Sequence, residues 1–489
     1  MATADRRAHY QVTFTVLALA TASYALLQSL VMPVLPTIAT ELHTSQTNVT
    51  WVMTAYLLSA SIFTPIMGRV GDMIGKEKVL VATLVGLVIG SVLAALAPNL
   101  SVMIVARCIQ GVGGGVLPLA FGIIRDEFPR EKVTGAVGII AALVAVGGGL
   151  GIVLAGPIVN ALSWHWLFWI PMIVTTITAI LTVIYIPESP VRTRGRISWL
   201  PAILLAAWLV VFLVPLSEAS SWGWGSFRVI GLIVLAVILA ALWVLAETKS
   251  ASPLIDMTMM RKKAVWTNNF AAFLIGFGMY AYMAFLPEFV QTPHGAAGYG
   301  FDASITRSGL MLLPNTITMF VVSMMAGRLA IRFGGRAMVI AGGVVSAVGM
   351  GMIALAHSSQ WEMYVGTGII GIGIGLAFSA MSGLIVAAVP AEQVGVASGM
   401  NANIRTIGGS VGSAIMASVV TAKATSAGLP FESGYTHGFL MLTVGFAVAA
   451  LAGILIPSLK IGASVSDHDT PHAELGLVAG GTLVGDESE

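Results

Sequence analysis

Long apolar stretches, separated by short polar turns, run along the chain from about residue 11 to residue 458. One region, 133–187, contains no Asp, Glu, Lys or Arg at all. A membrane-crossing helix needs about 20 mainly apolar residues, so this region alone is long enough for two crossings. Transmembrane β-strands would instead show alternating segments of about 10 residues. The pattern therefore predicts an all-α polytopic membrane protein.

Fourteen membrane spans are predicted from the apolar stretches. Their approximate bounds are 11–36, 49–68, 77–97, 101–124, 133–157, 165–186, 198–216, 227–246, 265–290, 305–327, 337–356, 361–386, 394–421 and 437–458. An even number of spans places both termini on the same side of the membrane. With the N-terminus in the cytoplasm, 19 of the 24 Lys and Arg fall in cytoplasmic segments. Cytoplasmic loops are enriched in these residues, so we expect a multi-pass protein of the plasma (inner) membrane with both termini cytoplasmic.

Composition narrows the class of protein further. The chain is 57% hydrophobic and only 9% charged, with a mean hydropathy of +0.92 and a net charge of +2. Its single cysteine, Cys108, excludes an internal disulfide. We find no phosphate-binding Gly-x-x-x-x-Gly-Lys-Ser/Thr loop, no metal-ligand spacing and no nucleophile constellation. We therefore expect neither an enzyme nor an ATP-driven pump, and no cofactor, metal or nucleic-acid partner.

The sequence also repeats itself weakly, with an offset near 260 residues. The matching landmarks are Gly68 with Gly327, Gly111 and Gly115 with Gly371 and Gly375, Pro129 with Pro390, Gly135 with Gly395, and Gly147 and Gly151 with Gly408 and Gly412. Six spans therefore recur as six more in the same orientation, with two further spans inserted between them. Two parallel halves of this kind predict a transporter whose site lies near the membrane midplane, between the halves.

The repeat sets the predicted domain bounds. They are a cytoplasmic tail at 1–10, a first six-helix half at 11–190, a linker with two extra spans at 191–263, a second six-helix half at 264–460 and a cytoplasmic tail at 461–489. The final tail is polar, Gly-rich and acidic, which is typical of disorder. We expect the protein to act as a monomer.

A charged turn at 68–78, between spans two and three, reads Gly-Arg-Val-Gly-Asp-Met-Ile-Gly-Lys-Glu-Lys. It resembles the signature loop of the major facilitator superfamily, and 107–113 in span four resembles the second signature of that family. The two inserted spans, together with 253–256 and 285–287, are similar to its fourteen-helix drug:proton antiporter branch. The resemblance covers nearly all of 11–460 and implies the major-facilitator fold.

The residues of the charged turn are suited to form a conformational latch, that is, a contact that stabilises one of two conformations. Gly68 lets two helices approach closely, and Gly75 can supply a positive φ. Asp72 can accept hydrogen bonds from a helix N-terminus or pair with a nearby cation, and such a contact can favour one of two conformations. The expected latch residues are Gly68, Asp72, Gly75, Lys76, Arg125 and Arg130, with Asp126 as a further partner. In the second copy Ile331 takes the Asp position, so the latch is expected on one side only; an ordinary solvated loop is the alternative.

Proton coupling is what the resemblance implies for Arg107, which lies inside span four. An arginine reaching towards the membrane interface is the alternative interpretation. The branch usually carries an Asp in the first span and a Pro in the antiporter motif of span five, where this chain has Leu27 and Ile152. Glu288 in span nine is the best replacement carboxylate, unless it is an interfacial residue paired with Arg307. The expected helix-packing glycines are Gly111, Gly115, Gly147, Gly151 and Gly156.

Polar residues inside the spans predict a roomy, mostly apolar substrate cavity. Its expected residues are Tyr24, Gln28, Tyr56, Gln110, Asn268, Tyr280, Asn315 and Arg405. Each could instead form a hydrogen bond between helices, and Arg405 could be an internal tie to a carboxylate or carbonyl groups.

These observations predict a secondary active transporter that works by alternating access. We expect it to export amphipathic, cationic drugs or toxic compounds in exchange for protons, with the proton gradient as its energy source. Its partners would be the small substrate, protons and the lipid bilayer. A dedicated exporter of one native metabolite or lipid, or a non-transporting membrane sensor or scaffold, are the alternatives.

Overall fold

The computed structural model describes residues 10–44, 46–49, 51–188, 198–250, 253–390, 393–423 and 429–458. The predicted tails lie almost entirely outside these residues. We label the long helices in chain order as follows: α1 Tyr10–Ser29, α2 Trp51–Ile74, α3 Lys76–Ala95, α4 Leu100–Glu127, α5 Arg130–Ala161, α6 Trp166–Tyr185, α7 Trp199–Trp222, α8 Phe227–Lys249, α9 Lys263–Gln291, α10 Ile305–Phe333, α11 Gly335–Leu355, α12 Gln360–Ala388, α13 Val394–Val420 and α14 Glu432–Leu455. Short helices occupy Leu35–Glu41, Gln46–Val49, Met257–Met260 and His294–Ala297, and 3₁₀ turns occupy Met32–Val34 and, within α4, Gly111–Gly115.

The predicted set of fourteen spans agrees closely with these helices. Thirteen helices in the described part of the chain are long and apolar enough to cross a membrane. The remaining long helix, α13, has 27 residues but is not in that set. It carries Asn401, Asn403 and Arg405, which make it more polar than the other helices. Their side chains all lie inside the protein, which is where polar groups of a membrane helix are expected.

Two tight turns show the repeat in the backbone. Gly75 joins α2 to α3 with φ = 128°, and Gly334 joins α10 to α11 with φ = 81°. Each glycine immediately precedes the next helix, and the two glycines occupy matching positions in the two halves. A residue with a Cβ rarely adopts a positive φ, so glycine is required where the chain reverses this sharply. We call the end of the bundle that carries Gly75 the latch face, and the other end the opposite face.

Each half encloses its own core. Helices α1–α6 bury one set of apolar side chains around Tyr56 and Leu84, and a second set around Phe168 near the opposite face. Helices α9–α14 bury a larger set around Phe289, Phe439 and Phe446. Each core also takes in one buried residue from the other half: Ile152 of α5 belongs to the core of the second half, and Phe378 of α12 belongs to that of the first.

The inserted pair, α7 and α8, packs against the outside of this bundle. Leu205 and Leu209 of α7 share an apolar cluster with Met400 and Ile407 of α13. The chain leaving α8 is held at the latch face by Asp256, which accepts a hydrogen bond from Gln393 Nε2 at 2.9 Å. Burial raises the pKa of Asp256, but hydrogen bonds from Thr258, Met259 and Gln393 outweigh it and hold that pKa below its usual range. The carboxylate is therefore ionised at neutral pH, as this contact needs.

Two seams join the halves. In the first seam, α5 lies along α10. The backbones approach closely at Gly309, where an added Cβ would be only 3.0 Å from the Ile152 carbonyl oxygen. In the second, α2 lies along α13, and Asn403 Nδ2 donates to the Ser61 carbonyl oxygen at 3.0 Å. The repeat relates α2 to α10 and α5 to α13, so the two seams are equivalent under the internal symmetry.

Glycines set the helix spacing along α5. Gly147 and Gly151 face α1, where added Cβ atoms would collide with Ala25 and Ser29. Gly156 faces α10, where a Cβ would be 2.6 Å from the Thr306 backbone nitrogen. Small residues let helix backbones approach closely in membranes, where lipid gives little hydrophobic drive for association. Gly111 and Gly115 hold α4 against α2 in the same way, through contacts with Ala60 and Met67.

The seam between α5 and α10 gives a stability prediction. We expect Gly156→Ala to lower the free energy of unfolding by about 1–3 kcal/mol, because the new methyl group meets backbone atoms of Thr306 that cannot rotate away. Thermal unfolding in detergent, followed by tryptophan fluorescence, measures the change. Gly148→Ala on the same helix is the matched control, because no atom lies within 4 Å of its Cβ position. Equal unfolding temperatures for the two variants would show that this contact does not limit helix approach.

Candidate functional site

A buried charge cluster lies at the latch face. Lys76 Nζ is 3.2 Å from Asp72 Oδ1 and 2.8 Å from Asp126 Oδ2, and the Lys76 and Asp126 side chains are each only 3% exposed. Arg125 supports Asp126 from the other side, with Nη2 at 2.7 Å and Nε at 2.8 Å from Oδ1. Asp126, which the sequence offered only as a further partner, is thus the centre of the cluster. The side chain of Arg130, the sixth predicted latch residue, lies outside the described part of the structure.

Glycines bring the helices of the latch together. Gly68 faces Pro118 of α4, where a Cβ would be 3.3 Å from Pro118 Cβ, and Gly71 faces Leu119. Gly122 leaves room for the Lys76 side chain, since a Cβ there would be 2.6 Å from Lys76 Cε. The lysine can therefore reach the buried carboxylate of Asp126 beneath the turn.

The latch also faces the second half. A recess of about 250 Å³ is lined by Asp72, Lys76 and Arg125 from the first half and by Gly395 and Val396 from the first turn of α13. No side chain caps the N-terminus of α13. The free N–H groups and partial positive charge of a helix N-terminus favour a nearby carboxylate. Asp72 is thus placed to hold α13 against the first half.

The second copy of the turn lacks this cluster. Ile331 stands where the first copy has Asp72. Among the described residues of the second turn, the guanidinium of Arg332 lies 5.3 Å from the centre of the Phe333 ring. The described residues of this turn form no ion pair, whereas those of the first turn form several. The described structure is thus one-sided at this face.

Arg107 is fully buried and tied to three helices. Its Nε donates to the Val52 carbonyl oxygen at 3.0 Å, and its Nη1 donates to the Leu27 carbonyl oxygen at 3.2 Å and to Gln110 Oε1 at 2.8 Å. The guanidinium also lies 4.2 Å from the centre of the Tyr56 ring. Since the side chain is 0% exposed, it does not reach towards a membrane interface. Its contacts make it a tie that joins α1, α2 and α4.

A central cavity lies between the halves. Tyr24, Gln28, Tyr280 and Arg405 line it together, and the space between its atoms, including the part open to solvent, is about 430 Å³. A second cavity of about 310 Å³ lies next to it, and Arg405 lines both. The described structure thus brings four of the eight predicted cavity residues to one place.

The other four predicted cavity residues do not line this space. Gln110 is buried in the Arg107 tie, where its Nε2 donates to Ser91 Oγ at 2.9 Å, and Tyr56 lies behind Tyr24 with its ring centre 6.3 Å away. Asn268 donates to the Met381 carbonyl oxygen at 2.9 Å, and Asn315 packs against Gly371 of α12. These positions correct the sequence prediction. Gln110, Tyr56 and Asn268 each contact a neighbouring helix of their own half, whereas Asn315 meets Gly371 through its backbone.

Glu288 is exposed near the end of α9, at the opposite face. Its predicted alternative partner, Arg307, instead donates to Gln360 Oε1 at 2.7 Å. Tyr435 of α14 is a neighbour of the Glu288 carboxylate. A role of Glu288 in proton coupling remains a prediction.

Two carboxylates in the inserted pair were missed by sequence reasoning. Glu218 of α7 accepts a hydrogen bond from Trp51 Nε1 at 2.7 Å, and Glu247 of α8 accepts one from the Leu254 backbone nitrogen at 2.9 Å. Both lie close to the ends of their spans, where an acidic residue is easily taken for part of a loop. Their position four residues or fewer inside a continuous apolar helix is the signal that could have found them.

Two six-helix halves with a cavity between them are an architecture typical of secondary transporters. Sequence comparison agrees, since the profile described as Major Facilitator Superfamily matches residues 17–413 and 269–473. The chain belongs to the major facilitator superfamily. This confirms the predicted family and fold class and places the chain among transporters rather than enzymes.

Curated relatives lie within the same family. Multidrug transporter protein MdtP of Bacillus subtilis is 28% identical over 385 residues, which is 76% of this chain and 69% of that protein. Multidrug resistance protein Stp of Mycobacterium tuberculosis is 27% identical over 391 residues, covering 79% and 72%. The tetracenomycin C resistance and export protein of Streptomyces glaucescens is 27% identical over 390 residues, covering 78% and 70%.

A solved structure shows the same fold. The crystal structure of the human organic anion transporter MFSD10 (TETRAN) matches with a TM-score of 0.64 at 15% sequence identity, over 91% of this chain and 99% of that chain. Within the described residues, no group of three or more His, Cys, Asp or Glu could hold a metal ion.

The Arg107 tie gives a second stability prediction. We expect Arg107→Gln to lower the free energy of unfolding by about 2 kcal/mol, because it removes the buried hydrogen bonds from the guanidinium to the carbonyl oxygens of Val52 and Leu27. The measurement is thermal unfolding in detergent, where no proton gradient exists. Arg307→Gln is the control, since it removes one exposed hydrogen bond to Gln360. A variant that unfolds like the wild type yet no longer couples transport to protons would refute the structural role.

Proposed function

We propose that this protein exports small amphipathic compounds by alternating access, in exchange for protons. The observation that carries the proposal is the central cavity between the two halves, lined by Tyr24, Gln28 and Tyr280. Relatives named as multidrug transporters and as a resistance and export protein support the direction of transport. A mixed aromatic and amide lining suits a compound that is partly apolar and partly polar.

The contacts at the latch face correspond to a state closed at that end. Gly399 of α13 lies against Thr64 and Pro118, where a Cβ would be 3.3 Å and 3.4 Å from the nearest atoms. With Asn403 bonded to Ser61, α13 covers the latch-side end of the cavity. Opening towards that face therefore requires α13 to leave α2 and α4. Asp72 would oppose this movement, because it faces the first turn of α13.

The membrane orientation follows the distribution of basic residues. We place the latch face in the cytoplasm of the plasma (inner) membrane, since most Lys and Arg lie in segments at this end. The closed contacts would then describe a carrier shut towards the cytoplasm. We expect a monomer, because each chain holds a complete cavity between its own halves.

Proton exchange supplies enough energy for this transport. One proton moving inward across about 100 mV provides about 2.3 kcal/mol, and one pH unit provides about 1.4 kcal/mol. Together they sustain a gradient of several hundred-fold for an uncharged compound exchanged one for one. We assign the proton to Glu288, which stands in α9 beside Tyr435 and has no ion-pair partner among the described residues. Water can reach this side chain in the present conformation, and closure at the opposite face would bury it.

The Glu288 assignment predicts a separation of binding from coupling. Glu288→Gln should abolish proton-driven export in proteoliposomes, while the affinity for a bound drug changes less than about twofold, because the residue does not line the central cavity. The measurements are drug-induced proton flux with a pH-sensitive dye and drug binding in detergent. Glu218→Gln is the matched control, a span carboxylate already bonded to Trp51 and Ser221. Normal coupling of export to protons in Glu288→Gln would show that Glu288 does not carry the proton.

The latch predicts a shift in conformational balance. Asp72→Asn should make a cysteine at position 396 react with a soluble maleimide roughly tenfold faster, equivalent to about 1.4 kcal/mol, since α13 is released from the first half. Lys76 would keep its Asp126 partner, so the first half should stay folded. The test uses Val396→Cys in a Cys108→Ser background. Glu77→Gln, which changes a charge of the same turn outside the cluster, is the control; an unchanged rate in Asp72→Asn would exclude the latch.

A further inference from the structure

Arg405 is a buried cation without a counter-charge. Its side chain is 5% exposed, and its guanidinium lies 4.0 Å from the centre of the Phe378 ring. Its Nε has no hydrogen-bond partner among the described residues. No described carboxylate lies within ion-pair distance of it, so the internal tie to a carboxylate considered from the sequence is not found in the described structure. The contrast is with Arg107, whose donors all reach acceptors in the protein.

This cation stands where substrate must pass. Arg405 lines both cavities between the halves, at the boundary where they meet. The described residues that line these cavities include no Asp, no Glu and no His. Tyr24 and Tyr280 place their phenol rings near the guanidinium. Among the described lining residues, Arg405 is thus the one Lys, Arg, Asp, Glu or His.

The internal repeat shows that the charge belongs to one half only. The offset that relates Gly147 to Gly408 relates Val144 of α5 to Arg405 of α13. Val144 lines the same two cavities from the other half. A ligand between these positions meets an apolar branched side chain on one side and a guanidinium on the other. An amphipathic compound with one acidic group fits this polarity.

We propose that the central cavity takes amphipathic organic anions, whose carboxylate, sulfonate or phenolate group is bound by Arg405 and whose apolar part contacts Val144 and the rings of Tyr24 and Tyr280. The inference rests on the proposed function, because it names the substrate class of the same cavity. A guanidinium presents its donors in a planar fork that matches two oxygen atoms of an acidic group. In a cavity shielded from water, such a contact is stronger than in solution. Cationic compounds, which the sequence led us to expect, meet a like charge there.

The experiment compares two probes of matched shape and opposite permanent charge. Purified full-length protein in detergent is dialysed to equilibrium with radiolabelled 2-naphthalenesulfonate or N,N,N-trimethyl-2-naphthylammonium. The wild type should bind the sulfonate more tightly. Arg405→Gln should weaken sulfonate binding roughly ten- to hundredfold, the range expected for one charge-assisted contact, and Arg405→Lys should retain part of it. Arg307→Gln, which removes an exposed cation bonded to Gln360, should leave both affinities unchanged.

Thermal unfolding separates ligand binding from a structural role. Arg405→Gln should unfold at or above the wild-type temperature, because it replaces a buried charge that has no carboxylate partner among the described residues. Addition of the sulfonate should stabilise the wild type and not this variant. Wild-type protein that prefers the ammonium, or binds neither probe, overturns the proposal. Sulfonate binding unchanged in Arg405→Gln overturns it equally, and the charge preference of the wild type decides the question even if that variant does not fold.

Transport in proteoliposomes distinguishes this inference from the proposed function. Sulfonate binding that depends on Arg405, with transport indifferent to an imposed pH gradient, would refute proton exchange and leave the substrate class standing. Proton-driven transport of the ammonium probe alone would leave exchange standing and refute the substrate class. Proton-driven transport of the sulfonate, lost in Arg405→Gln and partly restored in Arg405→Lys, supports both.

Discussion

The close approach of helix backbones at the two seams is the constraint on which this structure depends. In lipid, apolar side chains gain little by leaving the solvent, so the halves must hold together through contact and hydrogen bonding. Gly156 and Gly309 bring α5 and α10 together, and Gly399 brings α13 against α2 and α4. These contacts involve few long side chains, so one half can move over the other without repacking its core. The cavity exists because the seams hold the halves together on either side of it.

The two buried arginines illustrate how the same residue serves different purposes. Arg107 lies inside one half and gives its donors to carbonyl oxygens and an amide, so its charge is dispersed over three helices. Arg405 lies between the halves and contacts an aromatic ring, with Nε unpaired among the described residues. Under the proposed substrate class, Arg405 keeps an unpaired donor for a ligand, whereas Arg107 has given its donors to the protein.

Much of the fold was predictable from the sequence. The apolar runs and the offset between repeats predicted the long helices and the two halves. The positive φ expected of Gly75 is found, and Gly334 has one at the matching turn of the second half. The short spacing within the charged turn also pointed to Lys76 as a partner of Asp72, which the structure places at 3.2 Å.

The cavity was harder to predict, for a physical reason. A helix such as α9 is surrounded by protein on most of its circumference, so its sequence carries no clear amphipathic period to show which face meets the cavity. Asn268 and Tyr280 both interrupt the same apolar stretch, yet only Tyr280 lines the space between the halves. The same limit hid the function of Gln110 and Asn315. Pairings over long sequence distance, such as Trp51 with Glu218, have no local signature at all.

The inserted pair of helices has a mechanical consequence. At the opposite face it is bonded to both halves: Glu218 holds Trp51 of the first half, and Trp224 Nε1 donates to Ser418 Oγ of the second half at 2.6 Å. At the latch face it is bonded through Asp256 to Gln393, at the start of α13. Any rocking that parts α2 from α13 at the opposite face must break one of the two tryptophan bonds or bend the pair. We therefore expect the inserted pair to limit how far that side of the protein opens.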